Sequence, residues 1–146
     1  MVIKKALVLC LLAAMCAGMS FASELTAKEG INYFNEGVKA QKSGDLQTAM
    51  TAYQKAMYVG LDVATYRKFI YNNVGVIYAE TGNTAQAEEM FVESLRIDPA
   101  YKQANFNLGI LYIKMGQCSK SLEFLTRAYG MTGAYSIEEE KSPQPK

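Results

Sequence analysis

Apolar positions along the chain fall into a pattern that alternates between two helical faces. From Tyr71 they recur at three- and four-residue intervals (Tyr71, Val74, Gly75, Tyr78), the spacing of one face of a helix. Ala87, Met90, Phe91, Ser94 and Leu95 repeat that spacing. Gly82 separates the two stretches, and glycine tolerates the left-handed backbone that ends a helix. The Asn83 side chain is expected to cap the next helix by accepting a free backbone N–H. Asp98 and Pro99 then punctuate the chain. The stretch predicts two helices joined by a tight turn.

The same unit is written three times. Gly37, Gly75 and Gly109 each sit inside an apolar helical stretch, and Gly44, Gly82 and Gly116 each follow seven residues later. Both series are spaced 38 and then 34 residues apart. A fixed period of this size marks a stacked repeat, with units at 30–63, 68–101 and 102–135. A glycine in a helix interior costs roughly 1 kcal/mol relative to alanine, so three at one repeat position point to close packing. The small residues Ala49, Ala87 and Ser121 are expected to cross them, with Tyr78 and Phe91 filling the space further along from the Gly75–Ala87 crossing. The four extra residues between the first two units equal about one helical turn. Val63, Tyr66, Ile70, Val74 and Ile77 keep helical spacing through them, which predicts one continuous helix capped by Asp62.

These units resemble the tetratricopeptide repeat. That motif sets a large residue, Leu-Gly, Tyr, Ala, Phe, Ala and Pro at fixed offsets within about 34 residues. The third unit carries NLGILY from Asn107 to Tyr112, then Ser121, Leu125 and Ala128. The second carries NVGVIY from Asn73 to Tyr78, then Ala87, Phe91, Ser94 and Pro99. The first carries Tyr33, Gly37, Ala40, Ala49, Tyr53 and Ala56. The chain departs from the pattern at Glu36, where leucine is usual, at Ser121, and in lacking proline after the first and third units. The resemblance implies an all-α fold: a right-handed α-solenoid of three stacked helix-turn-helix units whose first helices line a concave groove.

By the same resemblance the groove is lined by Ile31, Phe34, Val38 and Gln41 in the first unit and by Phe69, Asn72, Val76 and Ala79 in the second. In the third it is lined by Gln103, Phe106, Ile110 and Ile113. Most are apolar, so each first helix carries two apolar stripes, one for packing and one for the groove. The expected function is a non-catalytic adaptor that binds a protein or peptide segment there, since large exposed apolar patches mark contact sites. A tightly twisted array, or residues 23–29 folded into the groove, would bury the stripe internally instead. Asn35, Asn73 and Asn107 recur two residues before each glycine. In some members of the family such asparagines bind the backbone of an extended peptide, which an amide can do whatever the peptide's sequence. They can equally support the repeat itself.

The carboxylate clamp of co-chaperone members is not matched. Phe34 and Val38 stand where the clamp has Lys and Asn, Gln103 and Asn107 where it has Lys and Arg, and only Asn73 agrees. An acidic chaperone tail is therefore not the expected ligand. The alternative function is a structural subunit whose apolar faces hold a permanent homo- or hetero-oligomer.

Composition narrows the classes further. The 146 residues fit one domain, half of them are apolar, and a net charge of +1 makes no case for a nucleic-acid surface. Histidine is absent, which removes the usual neutral-pH base and the commonest zinc ligand. Glu138, Glu139 and Glu140 read as a solvated charge run. No enzyme activity, cofactor, metal or small-molecule substrate is expected.

The first residues read differently. MVIKK, the uncharged run ALVLCLLAAMCAGM, and small residues at Ser20 and Ala22 before Ser23 make the three-part pattern of a secretory signal peptide over 1–22. The run is shorter than the about 20 residues of a membrane span. Cleavage near Ala22 is expected, giving an exported protein, periplasmic or secreted, that works in envelope or secretion assembly. A membrane contact would come only through this segment left uncleaved. Its loss leaves 13 basic and 14 acidic residues, and of three cysteines only Cys118. A lone cysteine forms no internal disulfide, and Cys118 is expected to be buried as a small hydrophobe under the turn after Gly116. Residues 23–29 form an N-terminal segment, and 136–146, rich in charge and proline, are expected to be a disordered tail. No capping helix of ordinary length is expected after the third unit; residues 134–141 have room for one short turn of helix, and without it Leu122 and its neighbours would be partly uncovered.

Overall fold

The computed structural model describes residues 27–59 and 64–131, and within them the chain is helical throughout, with no strand. The helices are α1 (27–42), α2 (Leu46–Tyr58), α3 (Ala64–Glu80), α4 (Thr84–Ile97), α5 (Lys102–Lys114) and α6 (Cys118–Tyr129). α1–α2, α3–α4 and α5–α6 are the three helix-turn-helix units; α3 also packs on α2, and α5 on α3 and α4. Helix α1 already covers residues 27–29, so the first unit starts before residue 30. The predicted leader, residues 23–26, Asp62, Val63 and the tail from residue 132 lie outside the described residues. From Ala64 onward the inserted turn is helical and continuous with the rest of α3.

The turns come from three glycines with φ of +82° (Gly44), +81° (Gly82) and +71° (Gly116), a backbone that side-chain-bearing residues rarely adopt. Each lets the next residue's N–H reach back five residues: Asp45 to the Ala40 carbonyl at 3.0 Å, Asn83 to Tyr78 at 2.8 Å and Gln117 to Tyr112 at 2.9 Å. These bonds satisfy carbonyls that a helix end leaves open. Capping of the following helices is less uniform. Asp45 Oδ1 accepts the Thr48 N–H at 3.0 Å. Asn83, expected to do the same, makes no cap bond. Its amide donates instead to Thr81 Oγ1 at 3.0 Å, an oxygen already held against the last turn of α3 by its own bond to the Ile77 carbonyl.

The helix-interior glycines are close-packing points, but against different residues from those expected. A Cβ at Gly37 would lie 2.6 Å from the Tyr53 ring, at Gly75 2.7 Å from Phe91, and at Gly109 2.7 Å from Leu125. The small residues Ala49, Ala87 and Ser121 are buried. The side chain that needs the missing Cβ is the large one a turn further along the second helix. Two core clusters result, one around Tyr53, Ile70 and Ile77, the other around Phe91, Leu108 and Tyr112.

Cys118 is exposed, against expectation. It opens α6 as its first residue, and neither core cluster includes it.

Candidate functional site

Helices α1, α3 and α5 share one face of the array, and a chain of side-chain hydrogen bonds crosses it. Gln103 Nε2 donates to Asn107 Oδ1 at 3.2 Å, and Asn107 Nδ2 to Asn72 Oδ1 at 2.9 Å. Asn72 Nδ2 donates to Asn73 Oδ1 at 3.3 Å, and Asn73 Nδ2 to the Tyr53 hydroxyl at 3.0 Å. That hydroxyl donates to Gln41 Oε1 at 2.9 Å. The bonds run head to tail from the third unit to the first, an arrangement in which each polarises the next. Asn72 is 3% exposed, so both ends of its amide need protein partners. Burial pushes the Tyr53 hydroxyl above its ordinary pKa, and the bond from Asn73 partly offsets this.

The relay gives Asn73 and Asn107 an internal role, support of the repeats. Asn35, the third member of the series, is exposed and makes no side-chain hydrogen bond among the described residues. Its place is taken by Tyr53 and Gln41. Tyr53 was legible as a core residue but not as a polar one; a buried tyrosine hydroxyl always needs a partner, and that requirement was the available signal.

Two hollows flank the relay on this face. Between α3 and α5 a cleft of about 170 Å3 is walled by Val76, Ala79, Phe106 and Ile110, with the buried Phe91 and Leu111 completing it. Phe91 fits there because Gly75 has no Cβ. Glu80 and Lys114, the exposed last residues of α3 and α5, stand at the cleft with Asn107. Neither charge makes an ion pair among the described residues. Between α1 and α3 a second hollow of about 330 Å3 is bounded by Val38, Gln41, Lys42 and Asn73. The first is apolar and the second mixed.

Aromatic contacts brace the far edge. The Phe34 ring centroid lies 5.5 Å from Tyr66 and 6.5 Å from Phe69, and Phe69 lies 5.3 Å from Tyr101. Lys68 Nζ sits over both Phe69 and Tyr101 and pairs with Asp98 Oδ2 at 2.6 Å. That hydrogen bond holds the Asp98 carboxyl below its usual pKa. Ser94 Oγ donates to the Lys68 carbonyl at 2.7 Å, which ties α4 back to the start of α3.

The predicted groove residues therefore divide. Val76, Phe106, Asn107 and Ile110 meet in one cleft. Ile31, Phe34 and Val38 pack, partly buried, on the first core cluster, with Phe69 against Phe34. Asn72 and Asn73 are spent in the relay, Ile113 is 53% exposed outside the cleft, and Asn35 stands apart. Sequence reasoning missed Asn105, which is 1% exposed and whose Nδ2 donates to the Pro99 and Tyr101 carbonyls at 3.0 and 3.1 Å. It clasps the turn between the second and third units.

Comparison with known proteins agrees with this geometry. A tetratricopeptide-repeat family model matches residues 70–101. Photosystem I assembly protein Ycf3 of Rippkaea orientalis is 30% identical over 91 residues, 62% of this chain and 52% of that protein. The Ycf3 of Chaetosphaeridium globosum is 31% identical over 84 residues, 58% of this chain and 49% of that one. The chain thus spans about half the length of these relatives. Their name refers to photosystem I assembly, not to the envelope or secretion assembly that the leader segment suggested.

Among solved structures, the second repeat domain of Spaghetti (RPAP3), bound to the HSP90 peptide SRMEEVD, superposes with a TM-score of 0.67 at 15% identity. It covers 80% of this chain and 97% of that one. MamA superposes with a TM-score of 0.61 at 21% identity over 71% and 58%. At these identities the likeness is one of fold. The repeated glycine geometry, the three stacked helix pairs and the match over residues 70–101 lead to one conclusion: this chain has the tetratricopeptide-repeat fold, with a tetratricopeptide-repeat match in its second unit.

Proposed function

We propose that the protein is a non-catalytic assembly adaptor that holds a segment of a partner protein on the α1–α3–α5 face, seating one bulky apolar side chain in the cleft between α3 and α5. The cleft carries the reading. Its about 170 Å3 is walled by Val76, Phe106 and Ile110, and a cavity of about 150 Å3 lined in this way holds a benzene ring. The spare N–H of Asn107 stands at the cleft to meet the partner's backbone. An assembly role also suits the printed name of the Ycf3 relatives; the photosystem I setting belongs to those proteins. The leader pattern at 1–22 adds export, with cleavage near Ala22 and action in the compartment beyond the membrane.

A photo-reactive residue at Phe106 tests the reading, with exposed Glu89 on α4 as control. A discrete partner captured from Phe106, absent from Glu89 and lost on Ile110→Glu is the expected result. Equal capture from both positions would remove the cleft from the account. Capture of a second copy of the chain would favour the alternative, a structural subunit. That reading draws on the exposed Leu122 and Tyr129 of the last helix and Met131 just after it, 39%, 64% and 55% exposed. The mass of the mature N-terminus tests export: a chain beginning at Ser23 is expected, and one retaining Met1 would remove that part.

A further inference from the structure

The two junctions between units can be compared position by position, using the offsets of 38 and 34 residues that relate the units. On the α4–α6 side of the second junction, Leu108 is fully buried and the Phe124 ring lies 5.5 Å from Tyr112, whose hydroxyl donates to Glu88 at 2.7 Å. The matching residues at the first junction are Val74 for Leu108, Met90 for Phe124, Tyr78 for Tyr112 and Met50 for Glu88. These residues do not close the space. They line a pocket of about 210 Å3 that also takes in Met57 and Tyr71. Tyr53 is the one buried residue of the lining and the others are at least partly exposed, so the pocket opens to solvent.

The lining says what fits. Thioethers make favourable contacts with the edges of aromatic rings, and unbranched methionine side chains adapt to an occupant. The hydroxyls of Tyr71 and Tyr78 make no hydrogen bond among the described residues. At the second junction the position that matches Met90 carries an aromatic ring, Phe124, packed partly buried against the core cluster beside Tyr112. The volume exceeds the about 150 Å3 that accommodates benzene. Gln54 is the one exposed residue of the lining, and its amide can meet a peptide group at the opening.

We infer that the first junction is a second binding site, distinct from the α3–α5 cleft, that takes the ring of a phenylalanine presented by a partner polypeptide. The test is titration of the full chain with N-acetylphenylalaninamide, read by NMR at the methionine methyls. Saturable shifts at Met50, Met57 and Met90, with none at Met131, are expected. Met90→Phe places at the first junction the residue found at the second. It should abolish the shifts at Met50 and Met57 and raise Tm by about 4 °C, as cavity filling does. Val74→Leu, the smaller change toward the second junction, should weaken binding if Met90→Phe does not fold. Equal shifts with N-acetylleucinamide would overturn the preference for a ring. Shifts with toluene alone would overturn the polypeptide source. Binding unchanged in a folded Met90→Phe would overturn the site.

Discussion

The first and second junctions share a backbone plan and differ in what occupies it. At the second, Leu108, Phe124 and Tyr112 close the space and a Tyr112–Glu88 bond spans it. At the first, Val74, Met90 and Tyr78 leave it open, and among the described residues one side-chain hydrogen bond, Asn73 to Tyr53, joins α3 to α2. In a stacked array each unit contacts only its neighbours, so stability is roughly a sum of unit and junction contributions. The difference teaches that one repeat motif can build a rigid junction and an adaptable one, with the choice made by a few side-chain volumes. The open junction is also the one that holds the four-residue insertion.

Matched truncations at the two junctions carry the largest expected effect. Leu108→Ala removes a fully buried side chain and should cost about 3 kcal/mol. Val74→Ala, at a pocket wall already in contact with solvent, should cost about 1 kcal/mol. Urea unfolding checks both, and equal losses would break the comparison. Gly75→Ala comes next. Its Cβ would press on the Phe91 ring, and overpacking of about 2–3 kcal/mol outweighs the roughly 1 kcal/mol gain in helix propensity.

Tyr53→Phe cuts the relay at its narrowest point and should cost about 1 kcal/mol. Hydrogen exchange should then speed up in α1 and α2 while α5 and α6 stay unchanged. Uniform acceleration would mean that the junctions are not separable.

The second junction also predicts a pH dependence. Burial first, then the bond to Glu88, pushes the Tyr112 hydroxyl up to about 12. Its unfolded value is about 10. Below that value both states hold the proton and the full contribution is present. As pH rises from about 10 to 12, the unfolded chain releases the proton first and stability is lost. The difference in stability between the protein and Tyr112→Phe should shrink across that window; a constant difference would refute the assignment. The smallest effect is local. Cys118, exposed at the start of α6, should react with a thiol reagent in the folded protein nearly as fast as in urea.

Much of this was legible in the sequence. Gly44, Gly82 and Gly116 mark the turns because a positive φ is a local demand that glycine meets without strain. The stripes through Ala87, Phe91 and Ser94 mark a buried face because helical spacing is local too. The candidate site was less legible. Val76, Phe106 and Ile110 could be placed on one face, but their meeting in a single cleft depends on how α5 sits against α3. Asn83 and Cys118 misled because each obeys a neighbour: the first turns to Thr81, and the second finds no core above it.

The helices, their ends, the three-unit plan and the glycines at which the units pack closely follow from the local pattern, as consequences of interactions within one helical turn or of a fixed period. Packing between distant helices sets the bond from Asn107 to Asn72 across 35 residues, the open pocket at the first junction, and which apolar stripe becomes a cleft. These depend on distances between side chains far apart in sequence. Differences of a few methylenes and the relative placement of two helices settle such distances, and neither is written in the local pattern.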